Sequence, residues 1–252
     1  MKIDLSGRVA LVTGGGRGIG RAIALALAEA GADVAVNYRR DADAAQETVT
    51  AIEKLGRRAS GYAASVENYD EDAAMVEAVA SDFGSLGILV NNAGIASRGN
   101  SVADTEPAEL ERVMRVHALA PHFLSKLALP HLRQQPRSDI VMISSVATLH
   151  HGPNGAPYNM GKAAMEALAM TLAKEERRHG VRVNVVAPSL TVTEMGSRLA
   201  KARGAANIHD LDKTAPFGRV SVPQDVAAAV VFLVSSANAY ISGEKISVHG
   251  GG

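Results

Sequence analysis

Short apolar runs alternate along this chain with longer, alanine-rich amphipathic stretches, and that beat restricts the fold more than any other feature. The runs Arg8–Thr13, Asp33–Tyr38, Ala59–Ala64, Ile88–Asn91, Asp139–Ser144, Arg182–Ala187 and Lys245–Val248 have strand length. Several are apolar almost throughout, as strands covered by helices on both faces must be. Between them Ile19–Ala30, Ala42–Lys54, Glu71–Phe83, Pro107–Leu132, Tyr158–Arg178 and Pro223–Ser235 carry helical periodicity. Pro107 and Pro223 stand where a first helical turn tolerates a missing N–H. The pattern predicts repeated βαβ units, hence an α/β fold with a parallel sheet. With 252 residues, 47% of them hydrophobic, and with charges and helix breakers spread evenly, one domain over 1–252 is expected. Residues 193–216 fall out of step. This long, polar, glycine-containing stretch is expected to be a lid over a site.

The first chemical signal is LVTGGGRGIGRAIA, residues 11–24, where a strand runs through glycines into a helix. Glycines let the backbone turn sharply against a pyrophosphate, and the helix N-terminus offers free N–H groups and a positive dipole end. The spacing is not G-x-G-x-x-G but the longer Gly14, Gly18, Gly20, with Thr13 in front. A dinucleotide is the expected ligand. Its adenosine ribose should meet the chain roughly 20 residues further on, where an NAD site usually has a carboxylate. Here the residues are Asn37-Tyr38-Arg39-Arg40. An arginine fork at Arg39, with Arg17 in the glycine turn, suits a 2′-phosphate, so NADP(H) is expected over NAD(H).

A second signal is SSVATLHHGPNGAPYNMGKAAM, residues 144–165. Tyr158 and Lys162 are four apart at the start of a helix and share a face. Ser145 ends the fifth strand, at the sheet edge where open α/β folds bind ligands. A phenol ordinarily titrates near pH ~10, so acid–base work by Tyr158 needs neighbours such as an ammonium.

These motifs together resemble the short-chain dehydrogenases/reductases, over essentially the whole chain and closest in pattern to members that reduce 3-oxoacyl thioesters. The resemblance is carried by TGGGRGIG at 13–20, NNAG at 91–94, ISS at 143–145, Y-x-x-x-K at 158–162 and RVNVVAP at 182–188. It implies a single-domain, doubly wound Rossmann sheet of seven parallel strands, a bound NAD(P), and hydride transfer between nicotinamide and a carbonyl or alcohol. It implies that Ser145 polarises the substrate oxygen, that Tyr158 transfers the proton, and that Lys162 holds the nicotinamide ribose and lowers the tyrosine pKa. Gly14, Arg17, Gly18, Ile19 and Gly20 would face the pyrophosphate, and Tyr38 and Arg39 the adenosine ribose. Ser65 and Val66 would lie at the adenine, Asn92, Ala93 and Gly94 along the adenosine side, and Pro188, Ser189, Thr191 and Thr193 at the carboxamide.

This chain departs from the family at Ser65-Val66, where an Asp commonly precedes the valine, and at Pro188-Ser189 in place of Pro-Gly. The fourth catalytic position, an Asn in the long helix after NNAG, falls on His117 within MRVHALAPHF. Pro121 lacks the N–H that would bond to the His117 carbonyl in an α-helix, so a break there should free that carbonyl for a relay water. Imidazole, titrating near pH ~6.5, would add a pH dependence.

Lys plus Arg and Asp plus Glu are equal at 26, which argues against a nucleic-acid binder or a polybasic membrane anchor. No cysteine is present, so disulfides and thiolate chemistry are excluded and the cytoplasm is the expected compartment. The N-terminus does not read as a signal peptide, and no run reaches membrane-spanning length. His150 and His151 are adjacent without a carboxylate cluster, so no metal is expected. Asp104, Glu106, Glu109 and Glu111 read as the solvated start of a helix. The expected function is an NADP(H)-dependent carbonyl reductase or alcohol dehydrogenase, taking a small-molecule substrate shaped by loops 95–104, 146–157 and 193–216. A 3-oxoacyl-thioester reductase is the alternative, with Lys126, Arg133 and Arg177 as contributors to a carrier landing patch. An NADP-binding scaffold with weak catalysis is the alternative of another class. The resemblance also implies a homotetramer built through the long helices.

Overall fold

A computed structural model describes residues 3–251. The strands β1 (Val9–Val12), β2 (Asp33–Tyr38), β3 (Ala59–Ala63), β4 (Ile88–Asn91), β5 (Ser138–Ile143), β6 (Val181–Pro188) and β7 (Lys245–Val248) form one parallel sheet. Its order is β3-β2-β1-β4-β5-β6-β7, so the strand order reverses between β1 and β4. At such a switch point the crossover helices diverge to opposite faces and leave a crevice at the carboxyl ends. The expected α/β, doubly wound, seven-stranded sheet is therefore the observed one.

Side-chain alternation divides the core in two. Ala10, Val12, Val141 and Ile143 point to the face covered by α1 (Gly18–Glu29), α2 (Ala42–Lys54) and α9 (Pro223–Val234). Val9, Leu11, Ile140 and Met142 point to the face covered by α3 (Tyr69–Phe83), α5 (Ala120–Leu132) and α7 (Ala156–Glu176), with α4 (Pro107–Met114) packed on α7. All eight are buried, which is why both registers of these strands are apolar. Among the described residues no helix is long and apolar enough to cross a membrane.

Two elements differ from expectation. The stretch 107–132 does not break at Pro121; α4 passes through a π turn, Arg115–Leu119, into α5. The Ala120 N–H bonds five residues back to the Arg115 carbonyl, and Pro121 then sits in the first turn of α5, where its missing N–H is tolerated. The wider turn carries His117 inward to 1% exposure. Nor is 193–216 an irregular polar excursion. It holds a helix, α8 (Glu194–Ala202), whose Thr193 cap accepts from the Gly196 N–H at 2.9 Å, while the short helix α6 (Ala147–His150) follows β5. Ala200, Ile208 and Val220 give this region a small core of its own. The acidic run before α4 is also less simple than it reads, since Glu109 accepts the Arg98 N–H at 2.6 Å and is largely buried.

At the amino edge of the sheet Asp139 is buried among three arginines. Arg8 lies 2.7 Å and Arg182 2.5 Å from its two oxygens, with Arg137 at 3.6 Å. The same guanidiniums donate to the carbonyls of Leu233, Val234 and Ser235, the C-terminal end of α9, where cations complement the helix dipole.

Asp72 on α3 is the opposite case. It is fully buried beside Met75, Val76 and Val79, and neither carboxylate oxygen has a hydrogen-bond partner. Burial, with the nearby Glu71 charge, pushes its pKa up from 3.8 to about 7. Over that window the folded chain holds a proton that the unfolded chain has released, so the contribution of Asp72 to stability falls as pH rises and stays low above it. Asp72→Asn is expected to be more stable than the wild type by ~2 kcal/mol at pH 8 and equal to it at pH 4, in urea melts at both pH values. A gain that is the same at both pH values would contradict the assignment.

Candidate active site

The glycine turn is held open by polar side chains from neighbouring strands. Thr13 Oγ accepts the N–H groups of Asn92 and Ala93, both at 2.9 Å, and the Asn92 amide donates to the Thr13 carbonyl at 2.8 Å. A Cβ on Gly20 would stand 2.2 Å from the Gly14 carbonyl oxygen, so only glycine lets α1 start this close to the turn. At its start α1 has no side-chain cap and no acidic residue in its first turn, which leaves its N–H groups free for an anion. These features fit a dinucleotide pyrophosphate. Ile19 packs its side chain on the core.

Asn37 is a residue the sequence reading did not assign. Buried at the end of β2, it accepts the Gly14 N–H at 3.2 Å and donates to the Ala64 carbonyl at 3.0 Å, tying the glycine turn to the β3 crossover. The available signal was an amide in the otherwise apolar run Asp33–Tyr38. Tyr38 lies against Gly61 of β3, and Val66 is buried while Ser65 donates its N–H to Glu71 at 2.7 Å.

Both arginines expected at the 2′-phosphate hold carboxylates. Arg39 pairs with Glu67 at 2.9 Å, with Arg112 3.7 Å from the same oxygen, and Arg17 pairs with Glu194 of α8 at 3.0 Å. These pairs are solvent-exposed enough to be worth about 1 kcal/mol or less, so a phosphate can displace them. The Thr193 side chain would touch a Cβ on Gly18 at 3.4 Å, which sets the start of α8 over the glycine turn. Pro188 and Ser189 sit at the end of β6, with the Pro188 carbonyl accepting from Val146 at 3.0 Å and Thr191 donating to the Ser189 carbonyl at 2.9 Å.

Ser145, Tyr158, Lys162 and His117 come together at the carboxyl ends of β4 and β5. The Ser145 hydroxyl meets the Tyr158 phenol, and Lys162 Nζ lies 5.8 Å from the phenol ring centre while donating to the Ile143 carbonyl at 2.6 Å. Burial pushes the phenol above its ordinary range and Ser145 opposes this. Lys162, implied as the group that lowers the phenol, is itself pushed down to about 7 by burial, with Glu166 opposing. The phenol therefore keeps its proton at neutral pH, the state an acid requires.

His117 faces the Tyr158 ring edge-on at 5.2 Å between centres. It is wedged between two glycines: a Cβ on Gly94 would meet its Cε1, and one on Gly161 its Cβ, each at 2.8 Å. Its Nε2 lies 2.8 Å from the Ile95 carbonyl and 3.3 Å from the Ile95 N–H; the shorter contact assigns the ring proton to Nε2, which leaves Nδ1 as a buried acceptor without a partner. Burial and the Lys162 charge push its pKa down to about 3. The titration near neutral pH expected from imidazole is thus corrected: His117 stays neutral. His150 and His151 are exposed on the surface.

Comparisons with known proteins agree with this geometry. The family model described as enoyl-(acyl carrier protein) reductase matches residues 14–252. Versicolorin reductase of Emericella nidulans is 38% identical over 255 residues, covering 98% of this chain and 96% of that protein. A 7α-hydroxysteroid dehydrogenase solved with NADH and 7-oxo glycochenodeoxycholic acid superposes with a TM-score of 0.90 at 32% identity, covering 100% of this chain and 96% of that one. A short-chain dehydrogenase of Burkholderia cenocepacia solved with NADP gives 0.89 at 36% identity, covering 98% of each. On matches of this length and identity, the chain belongs to the short-chain dehydrogenases/reductases, oxidoreductases that move a hydride between a nicotinamide and a carbonyl or alcohol.

Proposed function

We propose that the chain is an NADP(H)-dependent reductase of bulky, apolar ketones. The observation that carries this reading is the Ser145 hydroxyl set against a protonated Tyr158 phenol, with Lys162 beside the ring. Ser145 donates to the substrate oxygen, and Tyr158 gives that oxygen its proton as it gains charge. Lys162 holds the nicotinamide ribose, and the neutral His117 offers Nδ1 to a relay water. The nicotinamide, when bound, supplies the hydride. Residues 193–216 act as the lid. Leu149 on α6 and Met195 and Leu199 on α8 keep apolar side chains exposed on elements that follow Ser145 and Pro188, which supports an apolar substrate. The 7-oxo steroid on the related dehydrogenase is a ligand of that kind.

A carrier-bound thioester is less well supported. Arg133 is taken by Glu176 at 2.5 and 2.8 Å, and Lys126 lies over the Tyr69 ring, so two of the three cations expected for a landing patch are engaged. A cytoplasmic homotetramer, with Leu119 of the π turn exposed at 42%, is the expected form, and sedimentation equilibrium checks it.

NADPH oxidation with a panel of cyclic ketones tests the activity, and the absence of turnover with every ketone would leave the scaffold reading. On the 2′-phosphate, Arg39 releases Glu67 to Arg112. Arg39→Ala is expected to cut kcat/KM for NADPH by about tenfold or more and leave that for NADH unchanged. A wild-type ratio favouring NADH would overturn the cofactor assignment.

A further inference from the structure

Behind the reacting residues lies a polar network that the proposed chemistry does not use. Glu166 stands one helical turn after Lys162 on α7. Its Oε1 accepts the Ser144 hydroxyl at 2.5 Å and lies 2.8 Å from the Thr148 hydroxyl, and its Oε2 accepts Lys245 Nζ at 2.9 Å. Lys245, the first residue of β7, also donates to Thr148 Oγ at 2.6 Å. Thr148 Oγ lies 2.9 Å from the Ser145 carbonyl. The three residues at the end of β5 are thus each stitched down: Ile143 by Lys162, Ser144 by Glu166, and Ser145 by Thr148 with Lys245 behind it.

We propose that Lys245 is a positioning residue for carbonyl reduction, fixing Ser145 through Thr148 and neutralising Glu166 beside Lys162. The proposal rests on the reading of Ser145, Tyr158 and Lys162 given above. Lys245 and Glu166 are each less than a fifth exposed, so the pair acts where solvent screens charge weakly. The groups that face Lys162 are Tyr158 and Glu166 from α7, His117 from the π turn and the Ile143 carbonyl from β5. His117 is neutral at working pH, so Glu166 is the carboxylate that raises the proton affinity of Lys162. Removing the Lys245 ammonium leaves that carboxylate uncompensated and favours the charged form of Lys162.

Lys245→Met tests this. Its kcat for ketone reduction is expected to fall by about tenfold with KM for NADPH unchanged, as misplacement of a reacting group without loss of cofactor binding requires. The alkaline limb of its pH–rate profile, where Lys162 loses its proton, should move to higher pH. Adding Glu166→Gln removes the uncompensated charge and should bring the limb back, a result that simple loss of packing does not produce. Amide hydrogen exchange of residues 144–148 should also quicken in Lys245→Met, whether or not a substrate has been found. Unchanged exchange, or an unmoved limb in an active Lys245→Met enzyme, would overturn the proposal. A wild type inactive on every ketone would instead overturn the functional reading.

Discussion

Tyr158→Phe is expected to lower kcat for ketone reduction by about 10³-fold, the range that a positioned acid contributes. The substitution removes one oxygen from a ring held by packing, so the fold has no reason to move. Lys162 keeps its bond to the Ile143 carbonyl, and the glycine turn, built from Thr13, Asn37 and Asn92, is a separate construction. NADPH affinity, read by fluorescence titration, should therefore stay within about twofold, since cofactor contacts persist. Loss of both turnover and affinity would mean that the phenol is structural. Retained turnover would mean that another group delivers the proton.

The second large effect concerns stability and lies at the other edge of the sheet. Asp139→Ala is expected to cost ~3–5 kcal/mol in urea unfolding, the range for removing one partner of a buried ion pair. Burial pushes the Asp139 carboxyl up to about 6, and the guanidiniums of Arg8 and Arg137 hold it ionised at pH 7. Without that charge, Arg8, Arg137 and Arg182 are left crowded at the end of α9 with carbonyls alone to face. Because the site is at the opposite edge, kcat and KM of the folded enzyme at low temperature should match the wild type. A loss under about 1 kcal/mol would show that solvent already screens the cluster.

Much of this was legible from residue order. The strand–helix beat is a local signal, and all seven strands fall where the short runs are; in β1, β4 and β5, buried throughout, burial on both faces leaves no choice of residue type, while the edge strands β3 and β7 are only partly covered. The glycine turn and the Tyr158–Lys162 spacing are also local, so their elements followed. What was not legible depends on partners far along the chain. Asn37 has meaning only once Gly14 and Ala64 are beside it, and Asp72 looks like an ordinary acidic residue until the packing of α3 buries it. The neutrality of His117 follows from the depth to which a π turn carries it, and periodicity counting cannot distinguish that turn from an α-helical one. In α8, Gly196 and the charges of Glu194 and Arg198 hid a helix that Thr193 caps.

The arginine cluster also bears on how the protein comes to be folded in time. Arg8 reaches a carbonyl 226 positions away, and Arg182 and Arg137 fasten the same helix end from the middle of the sequence. Such contacts close long loops at high entropic cost, so they are expected late in assembly. Interactions made that late slow the escape from the native state more than they hasten its formation. The three arginines are therefore expected to act as a latch, with Arg8→Met raising the unfolding rate more than it lowers the folding rate in urea-jump kinetics.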